Sequence, residues 1–464
     1  MRLILLSGGS GKRLWPLSNS SRSKQFLRLL PSEQKTNSKV SMIQRVWNQL
    51  ENVNLADRTI ISTNKSQVDM IISQLGNDVP LIMEPSRRDT YPAIVLASLY
   101  LYSVESVDPE EVVGVMPVDP FAGDEFFEHM ITLEKVLQQS MADLALVGIA
   151  PTYPSEKYGY IVPIASQNTK HEEAFQRVSY FTEKPNHDKA KQLIKEGALW
   201  NGGIFAFKLG FLLNYIKTQG LPLSYAEVFN QFNRLPKNSF DYEVVEKSNN
   251  IIVVPYNGEW KDLGTWNTLT EEMKTPIVGK GSIGPDCRNV HVINELDIPV
   301  SVLGVSDLVV VVSPDGILVT DKEASQRVKE ISLQIEERPM YEERRWGWYH
   351  VLDYTKFDEA NEVLTKRIGI TANKNISYQR HFHRSEVWTI INGTGLFVLN
   401  DIIRVVNPGD VLEIPLGAAH GIKALTDLEI IEVQCGTELI EEDILRIFMT
   451  WEEVEANCTH LEKE

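Results

Sequence analysis

Over the first 275 residues, short β-rich runs alternate with longer helical patterns, and this alternation limits the possible folds more than any other feature of the chain. RLILLS, RTIIST, VPLIME, EVVGVMP and LALVGIA read as strands, while SMIQRVWNQL, AIVLASLYLYSV and DKAKQLIKEG read as helices. Such spacing predicts an α/β domain over residues 1–275, with a Rossmann-like, mixed and mostly parallel sheet. Sheets of this kind bind ligands beyond the carboxyl ends of their strands, where glycine-rich turns lie. After DLGTWNTLTEEMKTP the rhythm changes. Residues 276–335 carry short β-runs and end in a helix near Glu323 to Glu330, which predicts a small β connector. From 336 to 464 the chain is β-rich again, with turns at NGTG, NPGD and PLGA, and its tail LIEEDILRIFMTWEEVEAN has a closing helical character. A length of 464 residues already favours more than one core.

The first strand runs into LLSGGSGKRLWPLSNSSRSKQF, residues 5–26. A P-loop needs a glycine five positions before GK and a Ser or Thr after it, but Leu6 and Arg13 stand there. The dinucleotide turn G-x-G-x-x-G accommodates Gly9 and Gly11, yet Leu14 takes the third glycine position. Phosphate-holding chemistry survives both failures. Gly8, Gly9 and Gly11 allow backbone N–H groups to converge on an anion without interference from Cβ. Arg13 offers a permanently charged planar fork to phosphate oxygens, and Lys24 returns as a second cation. The plainer alternative is an ordinary strand-to-helix turn with solvated cations.

Charge and cysteine usage narrow the classes of partner. A formal net charge of −17 argues against a general nucleic-acid binder, which needs a basic footprint. Three cysteines, widely spaced and odd in number, give no disulfide framework and fit a reducing cytoplasm. LILLS is too short for a membrane span or a signal-peptide core. The expectation is a cytoplasmic protein with no membrane and no nucleic-acid partner.

The opening loop resembles that of the sugar-1-phosphate nucleotidyltransferases, and within them the long bacterial mannose-1-phosphate guanylyltransferases that carry a type II phosphomannose isomerase domain. Further blocks follow in the family's order: EPSRRDTYPAIVLAS, VMPVDP, PSEKYGYIVP, FTEKP, WNGGIFAF and WKDLGTW. The resemblance implies attack of a sugar phosphate oxygen on the α-phosphorus of GTP, which yields GDP-mannose and pyrophosphate from mannose 1-phosphate. It makes Asp119 and Asp262 ligands of magnesium, with Arg13 and Lys24 neutralising the triphosphate as catalytic residues. It assigns Lys184 to the incoming sugar phosphate, Glu183, Gly159 and Asn201 to the sugar, and Gly8, Gly9, Gly11 and the loop Arg88, Asp89, Thr90 to the nucleotide. It also implies a homo-oligomer, in its simplest form a dimer. Several positions depart from the family pattern, among them Lys12 for Thr, Ser23 for Pro, Asp89 for Asn, Tyr91 for Ala, Pro120 for His and Gly202 for Ser. Phosphate and metal positions survive while base and sugar positions vary, so reaction type is more firmly implied than substrate identity.

In the C-terminal stretch, YQRHFHRSEVW places His381, His383 and Glu386 close together, and IPLGAAHGI adds His420. On a strand, residues two apart share a face, so His381 and His383 are expected to grip one divalent ion. With Glu386 and His420 they make a set suited to zinc or another divalent ion. RRWGWYHVLD and this block resemble the isomerase domain, a cupin barrel, which implies a mannose-6-phosphate isomerase activity. Against that, Val387 replaces a His, Arg345 a Pro, and Gly421 the Arg that would meet the sugar phosphate. Two alternatives to guanylyl transfer remain open: a related transferase with another base or sugar, and a non-catalytic sugar-nucleotide sensor.

Overall fold

The computed structural model describes residues 1–9, 12–19, 21–32, 39–164, 174–335, 338–358 and 361–461. They form two compact units, one of Met1–Leu14, Ser23–Val68 and Leu75–Thr275, the other of Trp15–Arg22, Asp69–Gln74 and Pro276–Glu464.

The first unit is built on a nine-stranded sheet. Its strands are β1 (Arg2–Ser7), β2 (Thr59–Asn64), β3 (Leu81–Glu84), β4 (Val112–Pro117), β5 (Leu144–Ile149), β6 (Tyr160–Pro163), β7 (Gln176–Thr182), β8 (Leu199–Lys208) and β9 (Ile251–Tyr256). Their order is β3-β2-β1-β4-β8-β5-β9-β7-β6. The pairs β3–β2, β2–β1, β1–β4 and β5–β9 are parallel. All six residues of β2 and of β5 are buried, as befits strands covered on both faces. Helix α1 (Met42–Asn52) starts at a capping box between Ser41 and Gln44, and α2 (Thr90–Ser103) is buried along most of its length. The expected α/β domain is therefore present, with two strands, β7 and β8, whose reversed direction periodicity does not give. β8 runs antiparallel between β4 and β5.

That reversal positions the site. Antiparallel β8 starts where its neighbours β4 and β5 end, so Trp200 and Asn201 pair with Ile149 and Gly148 at the carboxyl edge of the sheet. The register then slips between Asn201 and Phe205, where Gly203 adopts a φ of +71°, which a glycine holds without strain. β1 delivers Gly8 and Gly9 to the same edge, and β4 delivers Asp119. A two-stranded ribbon pairs Pro120–Ala122 with Trp260–Asp262, opposing Pro120 to Asp262, and so draws Asp262 beside Asp119.

The second unit begins with short rungs. His291–Asn294 pairs in parallel with Ile277–Val278 and with Leu308–Ser313, and Gly281–Ile283 with Val300–Val302. Residues 15–22 pack within this unit: Arg22 donates to both carboxylate oxygens of Glu295 (2.8 and 2.9 Å) and lies over the Tyr341 ring, and Asn19 donates to Asp315. Two six-stranded sheets follow and enclose an apolar core around Trp388, Phe397 and Ile430. Four of their strands frame the polar interior: β10 (Asn375–Arg380), β11 (Arg384–Asn392), β12 (His420–Ala424) and β13 (Leu428–Gly436). The tail departs from its helical expectation, because Leu445–Phe448 is a strand paired with β10 and only Trp451–Asn457 is helical. Among the described residues, no helix is long and apolar enough to cross a membrane.

Candidate functional site

At the carboxyl edge of the first unit's sheet lies a cavity of about 230 Å³, lined by Lys24, Asp119, Asp262, Gly159, Glu183 and Asn201 among others. The Lys24 ammonium sits between the two aspartates, 2.7 Å from Asp119 Oδ2 and 2.9 Å from Asp262 Oδ1. Burial alone would lower the Lys24 pKa, but the two carboxylates override it and hold the group charged. Burial likewise opposes ionisation of Asp262, yet Lys24, Arg13 and Lys157 keep its pKa below the ordinary value. Arg13 itself is exposed. Two carboxylates converging on one cation form the donor set that magnesium accepts, so these residues fit such an ion.

A second polar group lines the same cavity. Asn201 Nδ2 donates to Asp241 Oδ1 at 2.5 Å, and Asn201 Oδ1 accepts from the Gly203 N–H at 3.0 Å. Lys184, at a φ of +43°, donates to Glu183 Oε1 at 2.6 Å and is half exposed. Burial, reinforced by the charge of Glu183, pushes Asp241 up to about 6. Gly159 closes tightly on Glu183, since a Cβ there would stand 2.4 Å from Glu183 Oε2.

The residues expected at the nucleotide divide. Gly8 lies against Glu84 Oε1, a buried carboxyl pushed up to about 7 by desolvation. The Gly9 carbonyl accepts from Ser23 Oγ and Gln67 Nε2, which pins the strand exit. Gly11 lies outside the described residues. Arg88 donates to the Leu235 carbonyl, Asp89 Oδ1 accepts from the Thr90 N–H, and Thr90 Oγ1 accepts from the Phe240 N–H. Arg88 and Thr90 thus brace the segment leading into Asp241, and none of the three lines the cavity. Sequence reasoning missed Asp241 and Lys157. Lys157 stands inside the matched block PSEKYGYIVP, where a cation before two aromatics was the available signal.

In the barrel, His381, Glu386 and His420 converge, with one ligand atom from each within 4.8 Å of the others. His381 Nδ1 lies 2.5 Å from the Asp443 carbonyl and His420 Nδ1 lies 3.1 Å from that of Ala418. A carbonyl can only accept, so both Nδ1 atoms carry a proton, and both Nε2 atoms face Glu386, at 3.3 and 3.4 Å. His420 Nε2 is buried and makes no hydrogen bond among the described residues. Burial holds His381 down at about 4. Two imidazoles held by their Nδ1 atoms, with both Nε2 atoms turned to one carboxylate, fit a divalent ion.

His383 does not join them. The alternation rule requires a continuous strand, whereas β10 stops at Arg380 and β11 starts at Arg384. In the intervening turn the His383 N–H donates to Asp443 Oδ2 and the imidazole is exposed. Arg384 points inward instead, donating to Glu386 Oε1 at 2.8 Å and to the Ile440 carbonyl at 2.9 Å. Gln379 Nε2 also lies 3.3 Å from His381 Nε2.

At the carboxyl edge of this sheet a lysine bridges two aspartates beside a polar recess, and residues 2–276 match the family model described as "Nucleotidyl transferase", which places the chain among the nucleotidyltransferases. Residues 283–334 match "MannoseP isomerase/GMP-like beta-helix domain" and residues 333–448 "Mannose-6-phosphate isomerase C-terminal". More narrowly, the chain belongs to the family of mannose-1-phosphate guanylyltransferases with a C-terminal isomerase-like domain. Its relatives include a mannose-1-phosphate guanylyltransferase of Salmonella montevideo, 31% identical over 96% of this chain and 98% of the relative. The xanthan biosynthesis protein XanB of Xanthomonas campestris is 30% identical over 97% and 98%. The crystal structure of a Thermus thermophilus protein described as mannose-1-phosphate geranyltransferase superposes with a TM-score of 0.59, 28% identical over 72% of this chain and 99% of that one.

Proposed function

We propose that this enzyme transfers the guanylyl group of GTP to mannose 1-phosphate, releasing pyrophosphate and GDP-mannose for polysaccharide synthesis. The observation that carries the reading is the convergence of Lys24, Asp119 and Asp262 in one cavity with Glu183 and Asn201. A phosphate oxygen of mannose 1-phosphate attacks the α-phosphorus; a new P–O bond forms and the α–β bridge breaks, leaving pyrophosphate. Magnesium held by Asp119 and Asp262 would supply charge neutralisation to the triphosphate. The chain's own part is positioning and electrostatics. Lys24 and Arg13 stabilise charge on the α-phosphate and on the departing pyrophosphate, with no covalent nucleophile required. Lys184 and Asn201 hold the acceptor in line. A homodimer, cytoplasmic location and domains of 1–275, 276–335 and 336–464 belong to the same reading.

The barrel is assigned a divalent ion, zinc by donor type, and no isomerase activity. Gly421 stands where the family pattern carries Arg, and a Cβ there would meet the Ser377 carbonyl at 3.1 Å. The inward cations Arg384 and Lys366 are already paired with Glu386 and Glu441. Conversion of mannose 6-phosphate to fructose 6-phosphate above background would overturn that assignment.

The test of the main reading is pyrophosphate release with magnesium, across four nucleoside triphosphates and several hexose 1-phosphates. GTP with mannose 1-phosphate is expected to be best. A different preferred pair would move the chain to the altered-specificity alternative, and nucleotide binding without turnover to the sensor.

A further inference from the structure

The loop that carries the two cations makes an excursion. Leu14 and Ser23 belong to the first unit, whereas Trp15–Arg22 between them packs in the second. Arg13 stands two residues before the excursion and Lys24 two residues after it. Its two feet are held differently. On the Lys24 side, Ser23 Oγ donates to the Gly9 carbonyl at 2.8 Å and Gln25 Nε2 to Ser7 Oγ at 3.2 Å, so partners from β1 and its exit hold that backbone. On the Arg13 side the guanidinium is exposed, and the chain arrives from Gly8, Gly9 and Gly11. The excursion itself is gripped chiefly by one hairpin turn, Ser313–Gly316, between the antiparallel strands Leu308–Ser313 and Gly316–Asp321. Ser313, only 4% exposed, donates from Oγ to the Pro16 carbonyl at 3.0 Å and accepts from the Asp315 N–H at 3.1 Å. Asp315 Oδ2 accepts from Asn19 Nδ2 at 2.8 Å. Gly316 lies against Trp15, since a Cβ there would stand 2.6 Å from indole Cζ2 and 2.9 Å from Cη2. The bidentate contact of Arg22 with Glu295 closes the far end.

A guanidinium on a long, exposed stem serves a reacting phosphate only as well as its backbone is placed. Glycines leave the approach to Arg13 wide conformational freedom. Downstream, Leu14 is buried and the next two residues, Trp15 and Pro16, are clasped by the turn. We propose that the turn Ser313–Gly316 is a positioning element of the transferase, which places Arg13 for the α-phosphate and the departing pyrophosphate by clasping Trp15 and Pro16. Ser313 and Gly316 touch no reacting group in this account. They act through Trp15 and Arg13, so their loss lowers turnover and leaves binding of the acceptor sugar alone. Lys24, with its own anchors, stays in place. The inference rests on the nucleotidyl-transfer reading above and deepens it.

The experiment is a double-mutant cycle on the full chain between Gly316→Ala, which drives a methyl into the Trp15 ring, and Arg13→Ala. Gly316→Ala alone should lower kcat about tenfold, with the KM for mannose 1-phosphate within twofold. Arg13→Ala alone should lose at least tenfold, and adding Gly316→Ala to it should cost less than a further twofold, because two residues acting as one unit do not add. Ile317→Ala, at the exposed neighbouring position, should stay within twofold of wild type. Ser313→Ala serves as the second variant should Gly316→Ala fail to fold; it should lose at least threefold, and that loss should likewise vanish in Arg13→Ala. Losses that multiply undiminished in the Arg13→Ala background overturn the proposal, because a general structural defect spares no background. Full activity of both turn variants overturns it too. Arg13→Ala at the wild-type rate also overturns it, while the turnover itself leaves the transferase reading standing. If wild type prefers another nucleotide or sugar, the guanylyl-mannose reading fails separately and the same cycle runs on the preferred pair. If nothing turns over, calorimetry with GTP and magnesium decides: binding weakened at least fivefold by Gly316→Ala, but not further in Arg13→Ala, supports the positioning role, and equal binding refutes it.

Discussion

Gly159→Ala is the smallest perturbation that reaches the sugar side of the cavity. The new methyl would stand 2.4 Å from Glu183 Oε2 and 2.6 Å from Phe181 Cζ. Ordinary contact begins near 3.4 Å, so both groups must give way, Glu183 by about 1 Å. The Phe181 ring lies on β7 and the Gly159 N-terminal flank is tethered, with Tyr160 Oη accepting from the Ser155 N–H and donating to its carbonyl. Glu183 is therefore displaced, together with the edge of the Phe181 ring. A misplacement of about 1 Å costs on the order of 10²-fold in rate. The expected result is a fall of that size in kcat/KM for mannose 1-phosphate, with the KM for GTP within twofold and Tm within a few degrees. Gly202→Ser is the control, because its Cβ meets only the side chains of Ile204 at 3.3 Å and Ile149 at 3.4 Å, and it should stay within threefold of wild type. Steady-state pyrophosphate release on purified variants reads both. Gly159→Ala within threefold of wild type would refute the reasoning that Glu183 touches the acceptor.

Other outcomes follow from the same geometry. The folded Glu84 carboxyl keeps its proton to about pH 7 and the unfolded one only to its ordinary 4.5, so the folded state binds more protons between these values and stability falls as pH rises through them. Glu84→Gln should flatten that decline, by about 3 kcal/mol at most, as read from Tm between pH 4.5 and 8. Zinc at one hundred times its Kd should stabilise the second unit by about 2.7 kcal/mol, a shift that His420→Ala abolishes and His383→Ala preserves. Arg22→Ala removes a bidentate partner of Glu295 and the cation over the Tyr341 ring, and should cost about 1–2 kcal/mol in denaturant unfolding, because the Glu295 carboxylate left behind reaches solvent.

What could be read from residues alone divides along physical lines. Strand and helix periods exposed the α/β unit because each reports its own burial locally, as β2 and β5 do. Strand direction has no such local signal, so antiparallel β8 and the Asn201 it delivers emerged only from the sheet. Leu445–Phe448 was hidden for a related reason, since its pairing with Asn375–Arg380 spans some seventy residues. Asp119, Asp262 and Lys24 stood in recognisable blocks, whereas Asp241 sits in a π-turn whose sequence, SFDYEVVEK, carries no chemical signature. The His383 expectation failed because a turn interrupts the alternation on which it rested. The assignment of residues 15–22 to the second unit likewise depends on Glu295 and Asp315, nearly three hundred positions away.

The most direct measurement follows the α-phosphorus. With GTP labelled at the α-position, mannose 1-phosphate and magnesium, the label should appear in GDP-mannose, while γ-label appears in pyrophosphate; Asp262→Asn should suppress both by at least 10²-fold. Label that stays in GTP under those conditions, or leaves as free GMP without a sugar nucleotide, would contradict the account.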